Sequence, residues 1–165
     1  MNNYDGCGQI LARLRRVYFA GYRWLSVGTM KNRFKLKAQE RLIRHVRTRY
    51  ELIKPEPTLG LFNFRCFENS VEYVRRYPEL EVCEVILIDG GEPILHYLNY
   101  DPSNGKYLET TLGWRAEHLE YYLIRKIHKD DQRYIHWEFE RALLSWKEQF
   151  VGWFGTNILR IDRIL

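Results

Sequence analysis

The run Val82 to Ile88 is short, β-rich and almost wholly apolar, and it closes on Asp89, Gly90 and Gly91. A segment so bounded reads as a strand entering a turn, and two more should follow it, Ile94 to Tyr100 and Lys106 to Thr111. Ahead of the run, Pro55, Glu56, Pro57, Thr58, Leu59 and Gly60 cannot continue a helix. Beyond that loop Phe67, Ser70, Val71, Val74 and Tyr77 recur at helical spacing until Pro78 stops them. A helix followed by turn-linked strands gives an α+β fold, with a small antiparallel sheet packed against that helix.

The flanks read as helical. Ile10, Leu14, Val17 and Gly21 mark one helix face, and Leu42, Ile43, Val46, Tyr50 and Ile53 mark a second. Between them Lys31, Arg33, Lys35 and Lys37 alternate with Phe34 and Leu36, the pattern of a solvated strand or arm. Toward the C-terminus, Leu119, Tyr122, Leu123 and Ile127 form one helical stripe. Ile135, Phe139, Leu143, Trp146 and Phe150 form another, broken by Gly152 and Gly155. The tail Ile158, Leu159, Ile161, Ile164 and Leu165 is apolar enough that it must dock on its own domain or on a partner.

Charge divides the chain. Residues 1–54 carry thirteen Lys or Arg against Asp5, Glu40 and Glu51, a net +10, while the remainder carries −5. The expected organisation is a basic helical segment over 1–54 and a core with C-terminal helices over 55–165, forming one compact unit. Arg41, Arg44, Arg47 and Arg49 head the basic surface, which suits nucleic acid, an acidic protein surface, anionic lipid or plain solvation. No RNA-binding or zinc-finger signature converts that charge into sequence specificity.

No apolar run reaches 18 residues, so no membrane span is expected, and Met1 to Asp5 lack the pattern of a secretory leader. The three cysteines, Cys7, Cys66 and Cys83, form no CxxC pair, and there is no HExxH, so neither a zinc site nor any other metal or cofactor is expected. An odd cysteine count fits a reducing, cytoplasmic setting.

Cys66 falls at or near the first turn of the Phe67–Tyr77 helix, where unpaired N–H groups and the helix dipole favour an anionic sulfur. His96 lies on the second expected strand and Glu109 on the third, so their meeting depends on the connection. A two-residue turn at Asn104 and Gly105 would set Glu109 opposite Tyr100. A type I turn centred on Pro102 and Ser103, the better use of proline, would set His96 and Glu109 directly opposite, about 5 Å apart at Cβ. A bulge at Gly105 would shift either register by one. Asn99 and Asp101 are rival partners for the imidazole. Without such contacts Cys66 is a small buried hydrophobe and His96 a satisfied core histidine.

A cysteine opening a helix, a histidine on a strand and a carboxylate beside threonine on the next strand, here Glu109, Thr110 and Thr111, resembles the transglutaminase-like and papain-like cysteine enzyme superfamily. The resemblance covers about residues 59 to 114. It implies a papain-like or transglutaminase-like core with Cys66 as nucleophile, His96 as general base and acid, and Glu109 as the group orienting the imidazole. Glutamate stands where aspartate is usual and is one methylene longer, and the proline that commonly follows is absent. Asn63 is the side-chain candidate for an oxyanion donor, at a spacing unlike the papain-type glutamine, and the Cys66 backbone N–H is another.

The implied activity is a thiol hydrolase or acyl transferase acting on an amide or isopeptide bond of a protein or peptide. The alternative, from another class, is a non-catalytic assembly protein of a virion or nucleoprotein particle. It would use the basic half and the apolar tail as contact surfaces, on the same scaffold if need be.

Overall fold

The computed structural model describes residues 28–58 and 65–165. The expected helix at Ile10–Gly21, Cys7 and Asn63 lie outside the described residues. Residues 28–49 are helical (α1), followed by β1 (Glu51–Ile53), β2 (Glu56–Pro57), α2 (Cys66–Arg76), β3 (Glu81–Asp89), β4 (Glu92–Asp101) and β5 (Lys106–Glu109). A 3-10 turn at Gly113–His118, β6 (Glu120–Ile127), a second 3-10 turn at Gln132–Tyr134 and α3 (Ile135–Asn157) complete the chain. The fold is α+β. Its sheet has six strands in the order β1-β6-β3-β4-β5-β2 and is mixed rather than wholly antiparallel, because β2 runs parallel to β5.

β3 and β4 form a hairpin that pairs from Glu81 with Tyr100 to Asp89 with Glu92. The two residues between the strands, Gly90 and Gly91, have φ of +56° and +90°. Positive φ at both central positions is the geometry of a two-residue hairpin whose twist matches the strands, and glycine adopts it without a Cβ clash. In sequence, only the turn was legible there; in space it registers the whole hairpin.

Helices cover one face of the sheet. Val82, Ile86 and Ile88 of β3 and Leu95 and Tyr97 of β4 pack beneath Val71 and Val74 of α2 and Ile135, Ala142 and Trp146 of α3. The opposite face buries Cys83, Val85 and Leu87 with Leu98, Tyr121 and Ala116, the last from the 3-10 turn before β6. Between Leu123 and Arg125 a β-bulge in β6 shifts the register against Glu84 and Val85. The shift brings Arg125 beside Glu84, 3.0 Å away, and Arg125 also reaches Glu138 of α3 at 2.7 Å. The buried Tyr97 hydroxyl donates to the same Glu84 at 2.9 Å. One polar cluster thus ties three strands to α3.

Two segments depart from expectation. Lys31 to Lys37 is helix rather than strand or arm, because Phe34, Ala38, Leu42 and Val46 recur every four residues and pack on the helix-side core. Leu119 to Ile127 is not a helix: β6 is covered on both faces, Tyr122, Ile124 and Ile127 packing in the helix-side core and Tyr121 and Leu123 in the opposite one, so the period-2 alternation of a half-exposed strand is lost. The C-terminal region therefore contains α3 alone, broken at Gly152 where φ is +69°. The tail docks on its own domain: Leu159, Ile161 and Ile164 are buried in the helix-side core, and Gln39 Nε2 donates to the Ile164 carbonyl at 3.1 Å.

Candidate active site

α2 begins at Cys66, and its first turn is held from three sides. Phe67 stacks on Phe139 of α3 with ring centroids 4.9 Å apart, and His136 meets the Phe67 ring edge-on at 4.8 Å. Asn69, buried one turn along, donates from Nδ2 to Thr111 Oγ1 at 3.0 Å. Asn99 of β4 donates to the Ser70 carbonyl at 2.9 Å. These contacts fix the start of α2 against β4 and against the chain that leaves β5.

That placement follows from incomplete pairing. β5 bonds to β4 only from Asn99 to Asp101, so on that side no strand among the described residues pairs with the stretch through His96. The space is filled by the N-terminus of α2 and by Thr111 and Leu112, which share a cavity with Ile94, Leu95 and His96. The cavity takes residues from both faces of β4, since Leu95 belongs to the helix side while His96 lies across from Val85 of the other face.

His96 is buried, and its Nε2 lies 2.8 Å from Glu109 Oε2. The other oxygen, Oε1, accepts the Thr111 N–H at 2.7 Å and the Leu112 N–H at 3.0 Å. Glu109 is thus fully buried with both oxygens bonded, which a buried carboxylate requires. With Nε2 occupied, Nδ1 is the ring nitrogen left for sulfur, and Cys66 and His96 line the same cavity.

Electrostatics follow from those contacts. Burial opposes a charge on His96, but its neighbours Cys66 and Glu109, the latter hydrogen-bonded to the ring, outweigh it. The imidazole pKa rises from 6.5 to about 10. Burial likewise works against ionised Glu109, yet the His96 bond and charge, with the two backbone N–H groups, hold its carboxyl below the ordinary value. Cys83 shows the contrast: burial pushes its thiol up to about 12, so it stays neutral.

The structure brings Cys66, His96 and Glu109 together, by a register different from either one expected. The connection is a four-residue loop, Pro102 to Gly105, with Asp101 paired to Lys106. Asp101 Oδ1 accepts the Ser103 N–H at 2.9 Å and the Ser103 hydroxyl at 2.6 Å, and Gly105 closes the loop with φ of +72°. His96 and Glu109 are consequently diagonal rather than directly opposite. Neither rival orients the imidazole, since Asn99 bonds the Ser70 carbonyl and Asp101 serves its own turn.

Of the basic residues, Arg47 is bound bidentately to Glu120 at 2.8 and 3.1 Å, and Arg41 donates to the Phe150 carbonyl at 3.0 Å. Arg44 and Arg49 are exposed and form no ion pair with a described residue. The bond between Asn69 and Thr111 was not expected from the sequence, where Thr111 figured only as a neighbour of Glu109; the one signal was the position of Asn69 three residues after Cys66, on the same helix face. No cluster of metal-binding side chains occurs among the described residues, nor any helix long and apolar enough to cross a membrane. Comparisons with family models, with curated proteins and with solved structures find no match for this chain.

Proposed function

We propose that the chain is a thiol-dependent hydrolase or acyl transferase acting on amide or isopeptide bonds, with a site of the transglutaminase-like and papain-like kind. One observation carries the reading: a cysteine at a helix start shares a cavity with a buried histidine, and that histidine is bonded at 2.8 Å to a buried carboxylate. A charged imidazole is the kind of neighbour that activates a cysteine nucleophile.

In this reaction the Cys66 sulfur attacks the carbonyl carbon. A C–S bond forms and the carbonyl π pair moves onto oxygen, which faces the N–H groups at the start of α2. The adduct collapses by breaking the C–N bond, and His96 delivers its proton to the departing amine. Water then attacks the thioester, one of its protons passing to His96, and the C–S bond breaks to return the thiolate and release the acid. An amine in place of water yields a new amide and makes the enzyme a transferase. Glu109 holds the imidazole in one orientation and balances its charge through the cycle.

The test is acylation of the thiol. Incubation with a p-nitrophenyl ester should release a stoichiometric burst of nitrophenolate and add the acyl mass to Cys66, and Cys66→Ala should abolish both. Wild-type protein that shows no burst and no adduct rejects the reading.

The second reading, a non-catalytic assembly protein of a virion or nucleoprotein particle, is favoured by α1. Arg44 and Arg49 project from it, exposed, on a helix that carries eight Lys or Arg against Glu40 alone. On that reading α1 binds phosphates or an acidic protein, and no ionised thiol is needed.

A further inference from the structure

Cys66 and His96 open into a cavity of about 330 Å³ that extends along β4 to the loop before β6. This lies at the small end of ligand pockets, which span roughly 300–1,000 Å³. Its walls are apolar: Phe67, Leu87, Ile94, Leu95, Leu112 and Leu119 supply most of them.

The polar groups deep in the wall are already engaged: Thr111 Oγ1 holds the Asn69 amide and His96 holds Glu109. At the rim, Asp89 and Arg115 pair with each other at 3.3 Å and keep their remaining oxygen and N–H groups toward solvent. A charged or strongly polar group entering this space would lose its water and meet few free partners. An apolar group of suitable size would meet apolar walls on the sides the cavity encloses. Ile94 stands at the mouth, 39% exposed although it is a large aliphatic on a strand, as a wall residue would be whose other side is supplied by a ligand.

We infer that the site accepts acyl donors bearing an apolar group of about leucine or phenylalanine size next to the scissile carbonyl, seated in this cavity. The inference rests on the thiol-acylation reading. Orientation supports it: the cavity begins at the sulfur, so an acyl group bonded to Cys66 has this space as its nearest enclosure. The exposed Asp89–Arg115 pair at the rim offers an acceptor and a donor to the N–H and C=O of an adjoining peptide unit, which favours a peptide source over a fatty acyl chain.

The experiment compares burst rates of the full chain with four p-nitrophenyl esters, those of acetate, N-acetylphenylalanine, N-acetylaspartate and octanoate, each corrected for its spontaneous hydrolysis. The phenylalanyl ester should acylate Cys66 about tenfold or more faster than the acetyl and aspartyl esters, the scale of discrimination an apolar pocket gives. Ile94→Glu, at a position exposed enough to keep the fold, should bring the phenylalanyl-to-acetyl ratio down by about fivefold or more, a smaller change of the same kind. An octanoyl rate above the phenylalanyl one would keep the apolar class and assign a fatty acyl source. Acylation at equal rates by all four esters, or a preference for the aspartyl ester, would overturn the inference while leaving the thiol enzyme intact. Failure of every ester to acylate wild-type Cys66 would overturn both.

Discussion

His96 Nε2 and Glu109 Oε2 meet at 2.8 Å across two strands in which these residues are not opposite each other. Asn99 pairs with Leu108, so continuing that register places Glu109 across from Leu98 and makes His96 its diagonal neighbour. Diagonal positions on one face are separated by roughly 7–8 Å, too far for a short side chain but within reach of a longer one. The extra methylene of glutamate is what closes the gap.

Glu109→Asp should therefore fail as a conservative replacement. It keeps the charge but shortens the reach, so the His96 pKa should fall from about 10 toward its ordinary 6.5, and acylation of Cys66 should slow by about 10²-fold or more. Titration of the imidazole ring protons by NMR reads the first effect and burst kinetics the second. An aspartate variant matching wild type in both would show that the diagonal reach is immaterial.

The site was legible in the sequence as an order of residue types, but not as a contact. Cys66 at a helix start followed from the Pro55–Gly60 loop and the spacing of Phe67, Ser70, Val71 and Val74. The loop after β4 was not fixed by its residues, since Pro102 and the Asn104–Gly105 pair each suit a different turn. Asp101 decided it by capping Ser103, a hydrogen bond that exists only once the loop has formed. β6 departs from its expected helix for a related reason: cores on both sides of the sheet leave apolar residues on both faces, and Leu119, Tyr122, Leu123 and Ile127 then satisfy a helical template by coincidence.

Thiol reactivity should separate the two buried cysteines. Iodoacetamide near pH 6 is expected to alkylate Cys66 well ahead of Cys83, whose thiol is pushed up to about 12 by burial. His96→Ala should remove the advantage of Cys66, because the charged imidazole supplies it. Peptide mapping by mass spectrometry gives the comparison, and equal labelling of both thiols in wild type would make Cys66 ordinary core packing.

Stability should depend on pH through the same residues. His96 binds its proton more tightly folded than unfolded, so its contribution is complete below pH 6.5 and is lost as pH rises through about 10. Glu109 acts in the opposite limb: its carboxyl is held below 4.5, so its contribution is present above that value and is lost as pH falls through the folded one. Urea midpoints measured from pH 3 to 10 should show both limbs in wild type. In Glu109→Gln the alkaline limb should be shallower and the acid limb reduced, and an unchanged profile would contradict the buried pair.

The C-terminal tail should behave as core. Ile161 is only 1% exposed and packs with the helix-side cluster, so Ile161→Ala should cost about 2–5 kcal/mol in denaturant unfolding. Ile158→Ala, at a 55% exposed position on the same segment, should cost little, within about 0.5 kcal/mol. Comparable losses at the two positions would mean that the tail is not seated as described.

The arginines of α1 divide by what already holds them, and this gives the basic surface a test of its own. Arg47 is committed to Glu120 and Arg41 to the Phe150 carbonyl, whereas Arg44 and Arg49 are exposed without an ion pair to a described residue. If α1 contacts nucleic acid, affinity should fall steeply with salt, and Arg44→Ala and Arg49→Ala should each lower the slope of log affinity against log salt by about 0.9, one phosphate apiece. Arg47→Ala should change the slope less. It would instead cost up to about 1 kcal/mol of stability, the scale of an exposed ion pair. Fluorescence anisotropy with a labelled duplex and a labelled single strand at several salt concentrations makes the measurement. Absence of binding at low salt would remove the nucleic-acid partner, and equal slope changes at Arg44 and Arg47 would show that the Glu120 bridge opens readily enough to free its arginine.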